Sequence, residues 1–162
     1  MHLKSVYFHT DRYCYCYYHY HYHYIVIIII KNEANHLKNC LESVRWADEI
    51  IVLDSGSADN SIEIAKQYTT HVYSDTDWQG YSVQKQRALD KATGDWVLNV
   101  DADEVVSEAL KLKLQAIMQS SVQSANIDGC RIPIQMVFYG KLMKYTSSPR
   151  RHVRFYKRKN AM

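Results

Sequence analysis

Residues 25–30 read Ile-Val-Ile-Ile-Ile-Ile, an unbroken β-branched run, and nothing else in the chain restricts its fold so firmly. The run is too short to cross a bilayer, which takes about 20 residues. It is also too uniformly apolar for a strand with one wet face, so it predicts a strand buried on both sides, as in a parallel sheet covered by helices. The segments that follow fit that frame. Residues 32–44 carry Leu37, Cys40, Leu41 and Val44 at helical spacing. Residues 49–53 form a second apolar strand that ends at Asp54, with Ser55-Gly56-Ser57 as a turn before a helix over 61–68. A short strand over 71–74 and a helix over 82–92, closed by Thr93-Gly94, come next. A strand over 96–100 then runs into Asp101-Ala102-Asp103-Glu104, ahead of a helix over 107–118 with Leu110, Leu114, Ile117 and Met118 as its stripe. Alternation of this kind predicts an α/β fold, a mainly parallel sheet flanked by helices on both faces.

Composition narrows the class. With 162 residues, 47% apolar, 23% charged, 5 Gly and 2 Pro, the chain has the material for one ordinary domain. Collagen-like, disulfide-dense and wholly disordered chains are excluded. Charge is unevenly spread: residues 129–162 hold nine basic and no acidic side chains, so the rest is net acidic. An acidic body with a basic tail predicts a cation site in the body and a phosphate-bearing partner near the end. Cys14, Cys16, Cys40 and Cys130 have neither zinc-ribbon nor secreted-framework spacing, and no signal peptide or transmembrane run is evident. A reduced, cytoplasmic location is expected. Residues 13–24 alternate Tyr, Cys and His. His19, His21 and His23 would share one face of a strand and could hold a transition metal there. The low complexity instead favours a repeat-derived extension, which sets residues 1–24 apart from a domain over 25–162.

In open parallel sheets ligands sit beyond the carboxyl ends of the strands, so the polar residues at those ends are the candidates for chemistry. They are Asn32 and Glu33, Asp54, and Asp101 with Asp103. On extended backbone Asp101 and Asp103 would point to the same side and repel unless a cation lay between them. A hard divalent ion, Mg2+ or Mn2+, suits such oxygen ligands and accepts diphosphate oxygens in its other positions. A turn cap on Ser55–Ser57 is the plain alternative for Asp54, helix capping for Asn32 and Glu33, and a solvated helix face for Lys85 and Arg87.

The segments 52–61 and 94–104 together resemble the family 2 glycosyltransferases of the GT-A, or nucleotide-diphospho-sugar transferase, fold. Lys31-Asn32-Glu33-Ala34, Trp46-Ala47-Asp48-Glu49-Ile50, Asp77-Trp78-Gln79-Gly80-Tyr81 and Gln84-Lys85-Gln86-Arg87-Ala88-Leu89 are similar to the subgroup that adds glucose to the lipopolysaccharide inner core. The resemblance spans about residues 25–158. It implies that Asp54 accepts a hydrogen bond from the uracil of UDP-glucose, that Asp101 contacts the ribose or the metal-bound diphosphate, and that Asp103 ligates the ion. Asn32, Glu33, Lys85 and Arg87 would line the donor site, with Trp78 and Gly80 shaping the sugar pocket. Arg151 and Arg154, in the basic tail, would meet acceptor phosphate or the inner membrane surface. No RNP-like or helix-turn-helix pattern accompanies that tail, so nucleic acid is not an expected partner. Ser147-Ser148-Pro149-Arg150 departs from the Trp and acidic residue usual around that proline, which bears on acceptor fit. The resemblance also places a catalytic base in a Val-His-Glu-like motif after the basic stretch. The sequence stops at Met162 before such a motif, so the expectation is an amino-terminal fragment that binds donor with little turnover. A non-catalytic nucleotide-binding or interaction module on the same fold is the alternative. A phosphoacceptor receiver domain fits the paired aspartates poorly.

Overall fold

The computed structural model describes residues 22–121, 127–138, 141–143 and 152–160. His19 and His21, and the 144–151 segment with Arg151, lie outside the described residues. Strands β1 (Tyr24–Ile30), β2 (Glu49–Asp54), β3 (Val72–Ser74), β4 (Trp96–Asp101), β5 (Gly129–Ile132) and β8 (His152–Lys157) form one sheet. Its order is β3-β2-β1-β4-β8-β5. The first four are parallel, as the alternating pattern predicts, whereas β8 runs antiparallel to both β4 and β5. Strands β6 (Val137–Phe138) and β7 (Lys141–Leu142) pair separately.

Helices α1 (Leu37–Ser43), α2 (Ser61–Ala65), α3 (Tyr81–Leu89) and α4 (Glu108–Ser121) cover the sheet. Side chains alternate along β1, and each set finds its own cover. Val26, Ile28 and Ile30 pack with Leu37, Cys40 and Leu41 of α1, Ala65 of α2, and Leu114 and Met118 of α4. Ile25 and Ile27 pack with Ala88 and Leu89 of α3 on the opposite face. Full burial of such side chains contributes about 1.5–3 kcal/mol each, which is why a run without polar interruption is stable only in the middle of a sandwich of helices.

Several boundaries differ from the sequence expectation: α2 ends at Ala65, α3 spans Tyr81–Leu89, α4 runs on to Ser121, and two further differences bear on the site and on the sheet. Helix α1 starts at Leu37, well after residue 32, because Asn32 has a positive φ of 58° and residues 32–34 donate their backbone N–H groups elsewhere. Asn32 N donates to Ser57 Oγ (2.9 Å), Glu33 N to Ser61 Oγ (2.9 Å) and Ala34 N to Asp59 Oδ2 (3.1 Å). At the other end of the fold, β1 begins at Tyr24, one residue before the expected start at 25. His23 O accepts the N–H of Trp96 (3.2 Å), and Tyr24 stacks edge-on against Trp46.

Candidate donor and cation site

The order β3-β2-β1-β4 reverses direction between β1 and β4, and the crevice beyond their carboxyl ends is where a sheet of this type receives ligands. The register sets Ile29 beside Asp101 and Ile30 beside Asp54, so Asn32, Asp54 and Asp101 converge there.

Asp54 is 2% exposed. Its Oδ2 accepts Gly56 N (3.0 Å) and both oxygens accept Ser57 N (3.1 and 3.2 Å). It is thus the cap of the turn, and Gly56, at a φ of 93°, supplies the left-handed backbone that the turn needs. The adjoining loop is laced to β1: Asn32 Oδ1 accepts Ala58 N (2.7 Å), and Asp59 accepts both the N–H and the hydroxyl of Ser61. Glu33 serves through its carbonyl, which accepts the N–H groups of His36 and Leu37.

Beyond β4 the geometry departs from the expectation of two aspartates on one extended face. The strand ends at Asp101, and a turn follows in which Glu104 N donates to Asp101 O (2.9 Å). Glu104, not singled out from the sequence, folds back so that its Oε2 accepts Asp101 N (2.9 Å), the reach that a residue three positions on has in such a turn. Asp101 Oδ1 accepts Lys85 Nζ (3.0 Å), and Asp101 Oδ2 accepts Arg154 Nη2 (2.9 Å). Arg154 also donates to Glu104, Nη1 to Oε2 (3.1 Å) and Nη2 to Oε1 (3.2 Å). Asp103 stays exposed, with no hydrogen bond or ion pair to the described residues.

The electrostatics follow the contacts. Partial burial raises the Asp101 carboxyl, but Arg154 and Lys85 outweigh it and hold the group below its usual range. Burial pushes Glu104 up, and Asp101 and Asp103 add to that against Arg154. Beneath the cluster Cys40 is fully buried, and desolvation together with Glu104, Asp103 and Asp101 pushes its thiol up to about 12.

Arg87 does not reach this cluster. Its guanidinium binds Asp75 (3.0 Å) and Asp77 (2.8 Å), while the buried Gln84 donates to Asp75 O (3.0 Å), so it braces the loop ahead of α3. Asp75 N in turn donates to Asp54 O (2.8 Å), which ties that loop to the β2 end of the crevice. Trp78 packs edge-on against Tyr81, both exposed, and Gly80 has a φ of 99°. A concavity lined by Arg45, Lys66, Tyr68 and His71 opens at the amino end of β2, away from all of these carboxylates.

Among the described residues no group of three or more His, Cys, Asp or Glu forms a ready metal cage. Asp103, exposed and without a hydrogen bond or ion pair among the described residues, nevertheless offers oxygens that fit a hard divalent ion bound with a diphosphate, because such an ion needs only one or two protein carboxylates. Among the described residues no helix is long and apolar enough to cross a membrane.

Comparison with known proteins agrees with this architecture. The lipopolysaccharide core biosynthesis glycosyltransferase LpsC of Rhizobium meliloti (strain 1021) is 34% identical over 96 residues, covering 56% of this chain and 35% of that protein. The chain spans about a third of the length of the curated relatives it matches. Among solved structures, S. aureus TarS 1-349 in complex with UDP-GlcNAc superposes with a TM-score of 0.60 at 20% identity, over 84% of this chain and 45% of that one. Glucosyl-3-phosphoglycerate synthase from Mycobacterium tuberculosis, in complex with Mn2+ and UDP-glucose, does so with a TM-score of 0.52 at 22% identity, over 67% and 42%. These two likenesses establish the GT-A type of fold. Residues 25–161 match the family model for Glycosyl transferase family 2, and the chain belongs to that family.

Proposed function

We infer that the chain is the donor-binding part of a metal-dependent glycosyltransferase that moves glucose from UDP-glucose to a hydroxyl of a lipopolysaccharide core acceptor. The observation that carries this reading is the cluster at the carboxyl end of β4. The carboxylates of Asp101 and Glu104 and the cationic side chains of Lys85 and Arg154 meet at the switch point of the sheet, with Asp103 exposed two residues beyond Asp101.

Asp103 is the residue for Mg2+ or Mn2+, with Asp101 beside it facing the ribose or diphosphate. The ion, when bound, supplies a positive charge that stabilises the departing diphosphate. Lys85 holds one oxygen of Asp101 through a flexible stem, so its ammonium can exchange that partner for a phosphate oxygen. Asn32 and Glu33 form the opposite lip. Asp54 can accept a uracil N–H besides its turn bonds, since a carboxylate has about four acceptor positions. Arg87 acts on the donor through the loop of Asp75 and Asp77. Arg151 is assigned to acceptor phosphate, a role that Arg154 can share only by leaving Asp101 and Glu104.

The glucose donor is supported by the mycobacterial synthase complex, and the core acceptor by the name of LpsC. The nucleotide-sugar-binding domain is then residues 25–162 together with His23 and Tyr24, which join the sheet, with the residues before them as an extension and contact with the inner membrane as peripheral. Thermal shift and calorimetry on the chain with UDP-glucose, UDP-GlcNAc and GDP-mannose, each with and without Mn2+, test it. Stabilisation by UDP-glucose that requires Mn2+ and disappears in Asp103→Asn is expected. A folded chain indifferent to every nucleotide sugar at saturating Mn2+ overturns the reading.

A further inference from the structure

The bonds at the end of β4 divide the carboxylates unequally. Both oxygens of Asp101 and both oxygens of Glu104 are occupied. Asp103 alone is left without a hydrogen bond or ion pair among the described residues. The two cations also differ. Lys85 reaches only Asp101, whereas Arg154 spans Asp101 and Glu104 through one planar guanidinium whose fork suits two carboxylates at once. Arg154 is anchored as well. Its side chain is 11% exposed, and the next residue, Phe155, is buried against Trp96, so β8 delivers the guanidinium from a fixed position.

We propose that Arg154 is the positioning residue of this cluster: it clamps Asp101 to Glu104 before any cation arrives and so makes Asp103 the carboxylate that receives a divalent ion. The proposal rests on reading the cluster as a metal-diphosphate site. Three carboxylates within one turn of chain repel one another, and an ion entering an unclamped cluster would gather two or three of them around itself. Such a cage would leave fewer positions for diphosphate oxygens. With the clamp, a single carboxylate is offered and the rest of the coordination sphere stays open to the donor. Arg154 touches protein carboxylates only, so its effect on chemistry passes through them.

The test uses the full 162-residue chain and two readouts, the affinity for Mn2+ alone and the affinity for UDP at saturating Mn2+. In Arg154→Gln the cluster loses one positive charge. Mn2+ alone is then expected to bind roughly five- to ten-fold more tightly, the Coulomb effect in water of one unit charge on a divalent ion one side chain away. UDP at saturating Mn2+ is expected to bind about ten-fold more weakly, as the carboxylates close round the ion. The double variant Arg154→Gln/Glu104→Gln restores the charge balance with a neutral pair and should return Mn2+ affinity to near the wild-type value. It also keeps the test open if the single variant folds poorly, since a neutral pair leaves no buried charge unpaired. A part played only in folding predicts loss of both affinities in step with the folded fraction and no tightening for Mn2+. Unchanged or weaker Mn2+ binding in folded Arg154→Gln, or a double variant that fails to return toward wild type, overturns the proposal while leaving the donor-site reading intact. A wild-type chain that binds neither Mn2+ nor UDP overturns both.

Discussion

Replacing Phe155 by Ala should be the most damaging single truncation in the sheet's antiparallel half. Phe155 is 1% exposed and stacks on Trp96 with ring centroids 4.7 Å apart and planes 17° apart. Truncating a buried Phe costs about 3–5 kcal/mol, through lost transfer energy and the cavity left behind. The aromatic pair is worth about 0.5–1.5 kcal/mol beyond area burial, which puts the expected loss in the upper part of that range, about 4 kcal/mol. Set against a total stability of about 5–15 kcal/mol, that is a large fraction. For a chain of this size it corresponds to a fall in Tm of about 8–16 °C. Urea unfolding followed by far-UV circular dichroism and Trp fluorescence measures it, and Phe155→Leu, which keeps most of the volume, should lose under about 1.5 kcal/mol. A loss below about 1 kcal/mol for Phe155→Ala would refute the packing of β8 on β4, and with it the fixed placement of Arg154.

Other predictions follow from single contacts. Gly94→Ala should cost about 2–3 kcal/mol in the same unfolding assay, because its Cβ would lie 2.6 Å from His23 Cβ and 3.1 Å from His23 O, where neither atom can swing aside. Cys40, with its thiol pushed up to about 12, should resist iodoacetamide in the native chain at pH 8 and react once unfolded, as read by mass spectrometry. The sign is set by the upward shift: thiolate is scarcer than in a free cysteine at every pH below that value. Arg87→Ala should lower stability by only about 1 kcal/mol, because its carboxylate partners are partly solvent-screened.

Much of the parallel half was legible because it is written in one dimension. The run over residues 25–30, the apolar segments over 49–53 and 96–100, and the helical spacing of Leu37, Cys40, Leu41 and Val44 each depend on neighbours in sequence. The strand-end aspartates were legible for the same reason. What was not legible depends on partners far along the chain. Helix α1 is short because Ser57, Asp59 and Ser61 take the N–H groups of residues 32–34, a trade that no local propensity shows. The pairing of β8 with β4 joins Leu98 to Phe155 across most of the domain's second half. Its only sequence trace is an apolar Phe155 set between Arg154 and the Tyr156-Lys157 pair. The basic tail read as a contact for acceptor phosphate or the membrane surface for the same reason, although Arg154 is spent on carboxylates brought to it by tertiary structure. Glu104 had a local signal, its spacing of three from Asp101, which is the reach of a side chain folding back onto a backbone N–H.

The antiparallel insertion of β8 has a consequence for how the chain is made. Until residues 152–157 leave the ribosome, β4 has a free flank that bares the Trp96 ring and a row of unsatisfied peptide groups. A nascent chain halted shortly before that point would carry a sticky, template-like margin. Pairing with so distant a partner is slow to form, and until it does that margin stays open to misassociation.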